Sequence, residues 1–228
     1  MFIVIKKLTL IITAAAILVC GILIIGFASA KEHTPVIVLD AGHGEPDGGC
    51  VGEDGTKESV LNLSVTKMLE KNLSDSGFKT IMTRTDENGI HKSEGSVKEK
   101  KRDDMKRRLK IKTSSSADIF VSIHMNKFEQ KKYYGAQVLY DKSNEQAKAL
   151  ADEIQASLNQ MDKTNTRLAM GSDGSIFLLK SSSVPSVIVE CGFLSNPGEL
   201  EKLKTEEYRK KVSDAIAEGI KNYFALDN

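Results

Sequence analysis

The chain has 228 residues, of which 40% are hydrophobic and 28% charged, and its formal net charge is +1. This length suits one folded domain with a short appendage, and the composition excludes a disordered or collagen-like chain. A near-neutral net charge is unlike the basic charge of nucleic-acid-binding domains, so we expect no nucleic-acid partner. Only two of the three cysteines follow residue 30, which is too few for a fold built on disulfides.

The first 30 residues differ from the rest of the chain. Two lysines precede an acid-free apolar run from Leu8 to Phe27, and Ala28-Ser29-Ala30 follows it. An apolar run of this length is able to span a bilayer, whereas the small residues after it suit signal peptidase. We expect residues 1–30 to be a signal peptide or a membrane anchor, with residues 31–228 exported as one domain.

Strands and helices alternate along the remaining sequence. In chain order we predict a strand at Pro35–Asp40, a helix from Glu58 that stops before Gly77, a strand at Phe78–Arg84, a short helix at Met105–Lys112, strands at Ile119–His124 and Ala136–Tyr140, a helix at Glu145–Met161, strands at Ile176–Leu179 and Val187–Glu190, and a closing helix at Glu206–Phe224. This order predicts an α/β fold with a mainly parallel, mixed sheet and helices on both faces.

Two histidines lie at the carboxyl ends of predicted strands. His43 follows the first strand in the segment DAGHG, and His124 ends a later strand in SIHMN. Such strand ends form the ligand crevice of open α/β sheets, so we expect both imidazoles to point into one site. Glu58 lies in the first helical turn on the stripe that faces the core, which directs its carboxylate inward. Two histidines and one glutamate are the ligand set of a catalytic Zn²⁺ that keeps a fourth position for water.

Each of these residues also has an ordinary structural interpretation. A histidine at a strand end is more often a hydrogen-bonded structural or surface residue, and a glutamate in a first helical turn often only complements the helix dipole. Taken one at a time, the three signals are therefore weak. We assign the other two histidines, His33 and His91, to solvent with no role.

Glu190 ends the apolar strand of the segment SVIVECGF, where a buried charge is costly unless it is paired or functional. It marks either the exit of this strand to solvent or a further residue of the same site. Its place at a strand's carboxyl end favours the second interpretation, so we predict Glu190 as a catalytic residue.

Five motifs follow one another in a recognisable order. They are VIVLDAGHGEPDGG, KESVLNLSVTKMLEKNL, MTRTD, ADIFVSIHMN and VPSVIVECGFLSNPGE. With them the chain resembles the zinc-dependent N-acetylmuramoyl-L-alanine amidases of the Amidase_3 family, from Pro35 to its last residue. It departs from the family pattern at Met125, where alanine is frequent, and at Cys191, where threonine or serine is frequent.

The resemblance implies an activity, a cofactor and a role for each site residue. The family's zinc ligands fall on His43, Glu58 and His124, and its second essential glutamate falls on Glu190, which would shuttle the proton. The implied reaction is hydrolysis of the amide bond between N-acetylmuramic acid and L-alanine in peptidoglycan. The short architecture resembles the sporulation and germination-specific branch, which prepares muramic-δ-lactam in the spore cortex. We therefore expect an exported protein, membrane-anchored or secreted, in the intermembrane space of the developing spore.

Other functions stay open on the sequence. The chain could be a catalytically silent module that binds peptidoglycan, or a zinc peptidase that cuts within the stem peptide. A thiol nucleophile is disfavoured because neither Cys50 nor Cys191 has a histidine nearby in the sequence. Arg84 and Arg108 could bind stem-peptide carboxylates, although a solvated surface or an ion pair explains them at least as well.

The segment after the second histidine bears on regulation. Some members of the family carry an inhibitory helix there, yet only Lys127–Tyr134 separate Asn126 from Gly135. Eight residues are too few for a helix that covers a site. We expect an open cleft whose control, if it exists, comes from a regulatory protein partner or from localisation.

Overall fold

The structure, a computed structural model, describes residues 33–180 and 183–226. Pro35–Asn228 form one compact unit. The predicted signal peptide or membrane anchor at residues 1–30 lies outside the described residues. Within the described ranges, no helix is both long and apolar enough to cross a membrane.

The described part of this unit contains a six-stranded sheet. Its strands are β1 Val36–Ala41, β2 Lys79–Met82, β3 Ile119–Asn126, β4 Gln137–Asp141, β5 Met170–Ser172 and β6 Ser186–Phe193. The strand order is β2-β1-β3-β6-β4-β5, and only the pair of β4 and β6 is antiparallel among these strands. The predicted mainly parallel, mixed sheet is confirmed.

Helices cover both faces of this sheet, which confirms the predicted α/β layers. They are α1 Glu58–Asp75, α2 Val97–Ser114, α3 Glu145–Met161, α4 Pro197–Lys204 and α5 Glu206–Leu226. The larger core joins one sheet face to α1, α3 and α5 through residues such as Leu69, Ile154 and Ile216. The smaller core lies on the other face, where Val38 and Phe120 pack near α2.

The register of the central strands brings several carboxyl ends together. Ala41 of β1 lies opposite Ile123 of β3, and His124 of β3 lies opposite Glu190 of β6. The ends of β1, β3 and β6 therefore meet at one edge of the sheet, where the loop after β1 also begins.

One predicted strand is absent, and two short elements were not predicted. Ile176–Leu179, predicted as a strand, form a turn in which the Leu179 amide donates to the Ile176 carbonyl (3.1 Å). This run is apolar because Leu178 packs in the smaller core, not because it belongs to the sheet. The edge strand β5 and the eight-residue helix α4 were not predicted, since each is too short to show a hydrophobic period.

Helix α2 is longer than its predicted span of Met105–Lys112. It begins at Val97, where the Ser96 side chain accepts from the Glu99 amide and the Glu99 side chain accepts from the Ser96 amide. This capping box starts a helix through a first half that has almost no apolar residues. The periodicity used for the prediction therefore detects only the second half.

Candidate metal centre

The structure brings His43, Glu58 and His124 together. One possible ligand atom from each of them lies within 4.8 Å of the other two. The Glu58 Oε1 atom is 3.3 Å from His43 Nε2 and 2.9 Å from His124 Nδ1. Three residues from the loop after β1, the start of α1 and the end of β3 thus converge on one point.

Glu58 is held in place from two sides. Its Oε2 atom accepts from the Cys50 amide (2.8 Å), and its Oε1 atom accepts from the Met125 amide and from the Asn62 side chain, both at 3.2 Å. Burial alone would raise the pKa of Glu58, but hydrogen bonds from His124 and His43 outweigh it and lower that pKa below its usual range. The carboxylate is therefore ionised and fixed, and it points inward as predicted from its position on the core-facing stripe.

His43 has a constrained backbone and a partner on its outer nitrogen. Its φ of 61° lies in the left-handed region, which costs a non-glycine residue about 1–3 kcal/mol unless its surroundings hold it. The Arg108 guanidinium donates to its carbonyl. Its Nδ1 atom lies 2.9 Å from Asp47 Oδ2, which leaves Nε2 facing Glu58.

The carboxylates of Asp47 and Glu58 favour positive charge at the His43 ring. Burial works against a protonated His43, yet Asp47 and Glu58 outweigh it and raise the pKa of His43 to about 9. Asp47 also pairs with Lys101 (3.0 Å). Asp47 was not predicted as a site residue, although its position four residues after His43 in the same glycine-rich loop is a usable signal.

Two glycines allow this close packing. A Cβ atom on Gly42 would lie 2.3 Å from the His124 ring, and one on Gly49, whose φ is 71°, would lie 2.6 Å from Glu58 Oε2. Both distances are far below van der Waals contact. The motif DAGHG therefore requires Gly42 because the imidazole of His124 lies against it.

Glu190 lies beside the three residues. Its Oε2 atom is buried and has no hydrogen-bond partner among the described residues. Burial raises the pKa of Glu190, nearby Glu58 adds to the rise, and His124 and His43 oppose it. A buried carboxyl oxygen without a partner, next to a cluster of possible ligands, is the arrangement expected of a group that handles a proton.

The donor set suits a zinc ion. Ligand atoms of a tetrahedral Zn²⁺ bound at about 2.1 Å lie roughly 3.4 Å apart, close to the two distances from Glu58 Oε1. The carboxylate of Asp47 behind His43 is the outer partner that metal-bound histidines usually have. His43, Glu58 and His124 therefore fit a zinc site, and their role as ligands stays a prediction.

Both arginines near the motifs are interior residues. Arg84 donates to the carbonyls of Gly42 and Ser59, and Arg108 pairs with Asp40 and Asp104. Their exposed fractions are 3% and 1%, so the hypothesis that they bind stem-peptide carboxylates is wrong. The ion pair that the sequence left open for Arg108 is correct.

The cysteines are not suited to nucleophilic chemistry. Both thiols are free, and Cys191 is buried. Burial raises the pKa of Cys50 and of Cys191 well above the usual value for a thiol, which disfavours the reactive thiolate.

A cavity of about 240 Å³ adjoins His43 and His124 on the α2 side of the sheet. Its walls include the half-buried His91, for which no role was predicted. The loop before α2 folds back over the site, since the Ile90 amide donates to Asp104 Oδ1 (2.6 Å) and the Gly89 amide donates to the Glu45 carbonyl (2.9 Å). Sequence periodicity does not predict that a loop folds back over a site.

A mixed α/β sheet with a His-Glu-His cluster and a buried glutamate at its strand ends defines the class, a hydrolase with a candidate metal centre. The chain belongs to the Amidase_3 family of N-acetylmuramoyl-L-alanine amidases, which matches residues 37–222. The resemblance based on the five motifs is confirmed, and so is the predicted activity class.

Individual relatives agree with this membership. The chain is 35% identical over 191 residues to the germination-specific N-acetylmuramoyl-L-alanine amidase of Bacillus subtilis (strain 168), covering 83% of this chain and 79% of the relative. It is 31% identical over 232 residues to the amidase AmiA of Escherichia coli (strain K12), covering 83% and 76%. The CwlD amidase of Clostridioides difficile, solved in complex with the GerS lipoprotein, is 42% identical with a TM-score of 0.83 and covers 85% of this chain and 100% of that one. The similarity to the germination-specific amidase supports the germination branch.

Proposed function

We propose that this chain hydrolyses the amide bond between N-acetylmuramic acid and L-alanine in the peptidoglycan of the spore cortex, as a zinc-dependent enzyme. The observation that carries the proposal is the convergence of His43, Glu58 and His124 beside Glu190. The likeness to a germination-specific amidase and to CwlD supports the cortex as the place of action.

The chemistry follows from the atoms at the site. His43, Glu58 and His124 would hold the ion, and a bound Zn²⁺ supplies Lewis acidity toward the amide carbonyl and lowers the pKa of water to about 7. Glu190 accepts a proton from the attacking water on Oε2, the oxygen without a partner. The water oxygen bonds to the carbonyl carbon, the C–N bond breaks, and Glu190 returns the proton to the L-alanine nitrogen.

The raised pKa of Glu190 suits both halves of this step. A carboxylate with its ordinary pKa would be a weak base toward water and would not keep the proton long enough to deliver it. Burial raises the pKa of Glu190 above its ordinary value, which makes the carboxylate a stronger base and a better carrier of the proton. The cleft also needs access for a polymer, and residues 127–134 form turns and coil, not a helix.

The setting of the enzyme is part of the same proposal. Residues 1–30 would export the chain as a signal peptide or membrane anchor, and residues 31–228 would act outside the cytoplasm as the catalytic domain. A protein partner is proposed because CwlD was solved in complex with a lipoprotein. Comparing turnover with and without the corresponding lipoprotein of the same organism tests this part.

Product analysis tests the activity. The zinc-loaded chain is incubated with purified cortex peptidoglycan, and the released material is identified by mass spectrometry. We expect intact stem peptides that begin with a free L-alanine amine. Peptides cut internally would mean a peptidase instead, and binding to the wall without release would mean a silent binding module.

Substitution of Glu190 separates proton transfer from metal binding. In Glu190→Gln we expect full zinc content and an unchanged melting temperature but turnover lower by about 10²–10⁴-fold, since the amide keeps the shape and cannot take the proton. Zinc, melting temperature and hydrolysis are measured on one sample, with a substitution at an exposed position of α4, Glu201→Gln, as the control. Near-normal hydrolysis would remove Glu190 from the mechanism, and loss of zinc would make it a ligand.

A further inference from the structure

Arg84, in the motif MTRTD, is a buried cation whose partners are backbone carbonyls. Within residues 33–180 and 183–226 it forms no ion pair with a carboxylate. Four of the five N–H groups of its guanidinium donate to carbonyls, among them Nε to Ala41 (2.8 Å) and Nη1 to Asp86 (2.7 Å). Burial of a charge without an opposite charge is costly, and the hydrogen bonds to these carbonyls have to offset that cost.

The other two carbonyls lie directly beside candidate zinc ligands. The Nη2 atom of Arg84 donates to the carbonyl of Gly42 (3.0 Å) and to that of Ser59 (2.7 Å). Gly42 precedes His43 in the chain, and Ser59 follows Glu58. A single nitrogen atom therefore joins the two backbone segments that carry these ligands, the loop after β1 and the first turn of α1.

The peptide groups of Gly42 extend this connection to the third candidate ligand. The Gly42 amide donates to the carbonyl of Ile123 (3.0 Å), the residue that precedes His124. The Gly42 carbonyl also accepts from Asn62 Nδ2 (3.0 Å), and the same nitrogen lies 3.2 Å from Glu58 Oε1. The buried guanidinium thus belongs to a hydrogen-bond network that includes a chain neighbour of every candidate ligand.

A zinc site depends on such a network because its distances are narrow. Ligand atoms have to lie within about 0.2 Å of their proper distance from the ion. The left-handed backbone of His43, with its φ of 61°, persists only where the surrounding structure holds it. The positive charge of Arg84 repels a zinc ion, so this residue can favour zinc binding only through the positions of the ligands.

We propose that Arg84 is a positioning residue of the zinc site, which holds His43 and Glu58 at the separation that the ion requires by binding the carbonyls of Gly42 and Ser59. The inference rests on the proposed function, since it takes the candidate ligands as zinc ligands. A lysine keeps the charge but not the planar fork of donors, so it cannot bind the same set of carbonyls.

The test measures zinc affinity in Arg84→Lys, which keeps the charge, and in Arg84→Gln, which removes it. Both variants and the wild type are stripped of metal, checked for secondary structure by circular dichroism, and titrated with Zn²⁺ against a chromophoric chelator. We expect zinc affinity to fall by about 10–100-fold in both variants. In parallel samples Co²⁺ replaces Zn²⁺, and its visible absorption, which reports the coordination geometry, should differ from that of the wild type.

Arg209→Lys is the matched control, because Arg209 also joins α1 to other elements through hydrogen bonds. Its Nε atom donates to Ser64 Oγ (2.9 Å), and its Nη1 atom donates to the Leu203 carbonyl (2.8 Å). Neither partner is next to a candidate ligand in the chain. This variant should have a lower melting temperature but the zinc affinity and the cobalt spectrum of the wild type.

Each outcome decides between positioning and a general structural role. A folded Arg84→Lys or Arg84→Gln with the zinc affinity and cobalt spectrum of the wild type would overturn the positioning role alone. Failure of both variants to fold would also overturn it, because Arg84 would then serve the fold as a whole. A wild type that binds no zinc would overturn the zinc dependence of the proposed function, and this inference with it.

Discussion

Asp47 lies against the outer ring nitrogen, Nδ1, of His43. Substitution of Asp47 therefore tests the predicted role of His43 as a zinc ligand. In Asp47→Ala we expect zinc affinity to fall by about 10–100-fold, because the ring loses the partner that orients Nε2 toward Glu58. The affinity is measured by competition with a chromophoric chelator at fixed pH. Asp47→Asn, which keeps an acceptor oxygen, should lose less than the alanine variant.

Asp75→Ala serves as the control for this experiment. Asp75 is also a carboxylate in an ion pair, with Lys71, but its side chain is 65% exposed at the last turn of α1. This substitution should leave zinc affinity unchanged, because exposed pairs contribute little. An Asp47→Ala protein with wild-type affinity would mean that the backbone of His43 alone fixes the ring.

At the level of single residues, the sequence predicted what short-range rules determine. His43 and His124 follow apolar strand runs, and Glu58 lies on a helical stripe, so their convergence was predictable from strand ends and periodicity. The burial of Arg108 was not, because it depends on how α2 packs against β1. Asp40 is 68 positions away from Arg108 in the chain, and a sequence pattern does not connect the two.

At the level of elements, α2 and the turn at Ile176–Leu179 were the least predictable parts, and they pack against each other. Helix α2 has few apolar residues because it covers a small core, which its buried charges complete. The turn has an apolar sequence because it closes that core from the other side. Helix α2 is unusually polar and the turn at Ile176–Leu179 is unusually apolar. The packing of one against the other explains both compositions.

Lys112 joins these two elements. It is fully buried, its Nζ atom donates to the Leu178 carbonyl (2.7 Å), and it lies 5.4 Å from the centre of the Phe120 ring. Burial lowers the pKa of Lys112 to about 8, although Asp141 works in the opposite direction. The folded chain therefore releases this proton more readily than the unfolded chain, whose lysines titrate near pH 10.4.

This difference predicts an unusual pH dependence. Between about pH 8 and 10.4 the unfolded state binds more protons, so the contribution of Lys112 to stability rises with pH and is lost as pH falls through 8. Relative to Lys112→Met, the wild type should gain about 2–3 kcal/mol between pH 7 and pH 10.5. Urea unfolding of both proteins at the two pH values measures this gain, and a constant difference between the proteins would contradict the assignment.

At the level of the whole molecule, the candidate metal centre joins segments that are distant in the chain. His43 follows β1, Glu58 begins α1 and His124 lies near the end of β3. The hydrophobic core already packs these elements together, and both Glu58 and His43 have hydrogen bonds that hold them without further help. A zinc ion would thus add stability to a folded chain and is not needed to form the fold.

Zinc should accordingly raise the melting temperature without changing secondary structure. An ion that binds only the folded state adds about 2.7 kcal/mol at 100 times its dissociation constant, which for a domain of this size corresponds to a rise of roughly 5–11 °C. The chain is stripped with a chelator and melted with and without Zn²⁺ while circular dichroism is recorded. His124→Ala should show almost none of the rise, because it lacks one of the three ligand side chains. An equal rise in His124→Ala would place the binding ion elsewhere, and a stripped wild type without secondary structure at 25 °C would show that the core cannot hold the fold alone.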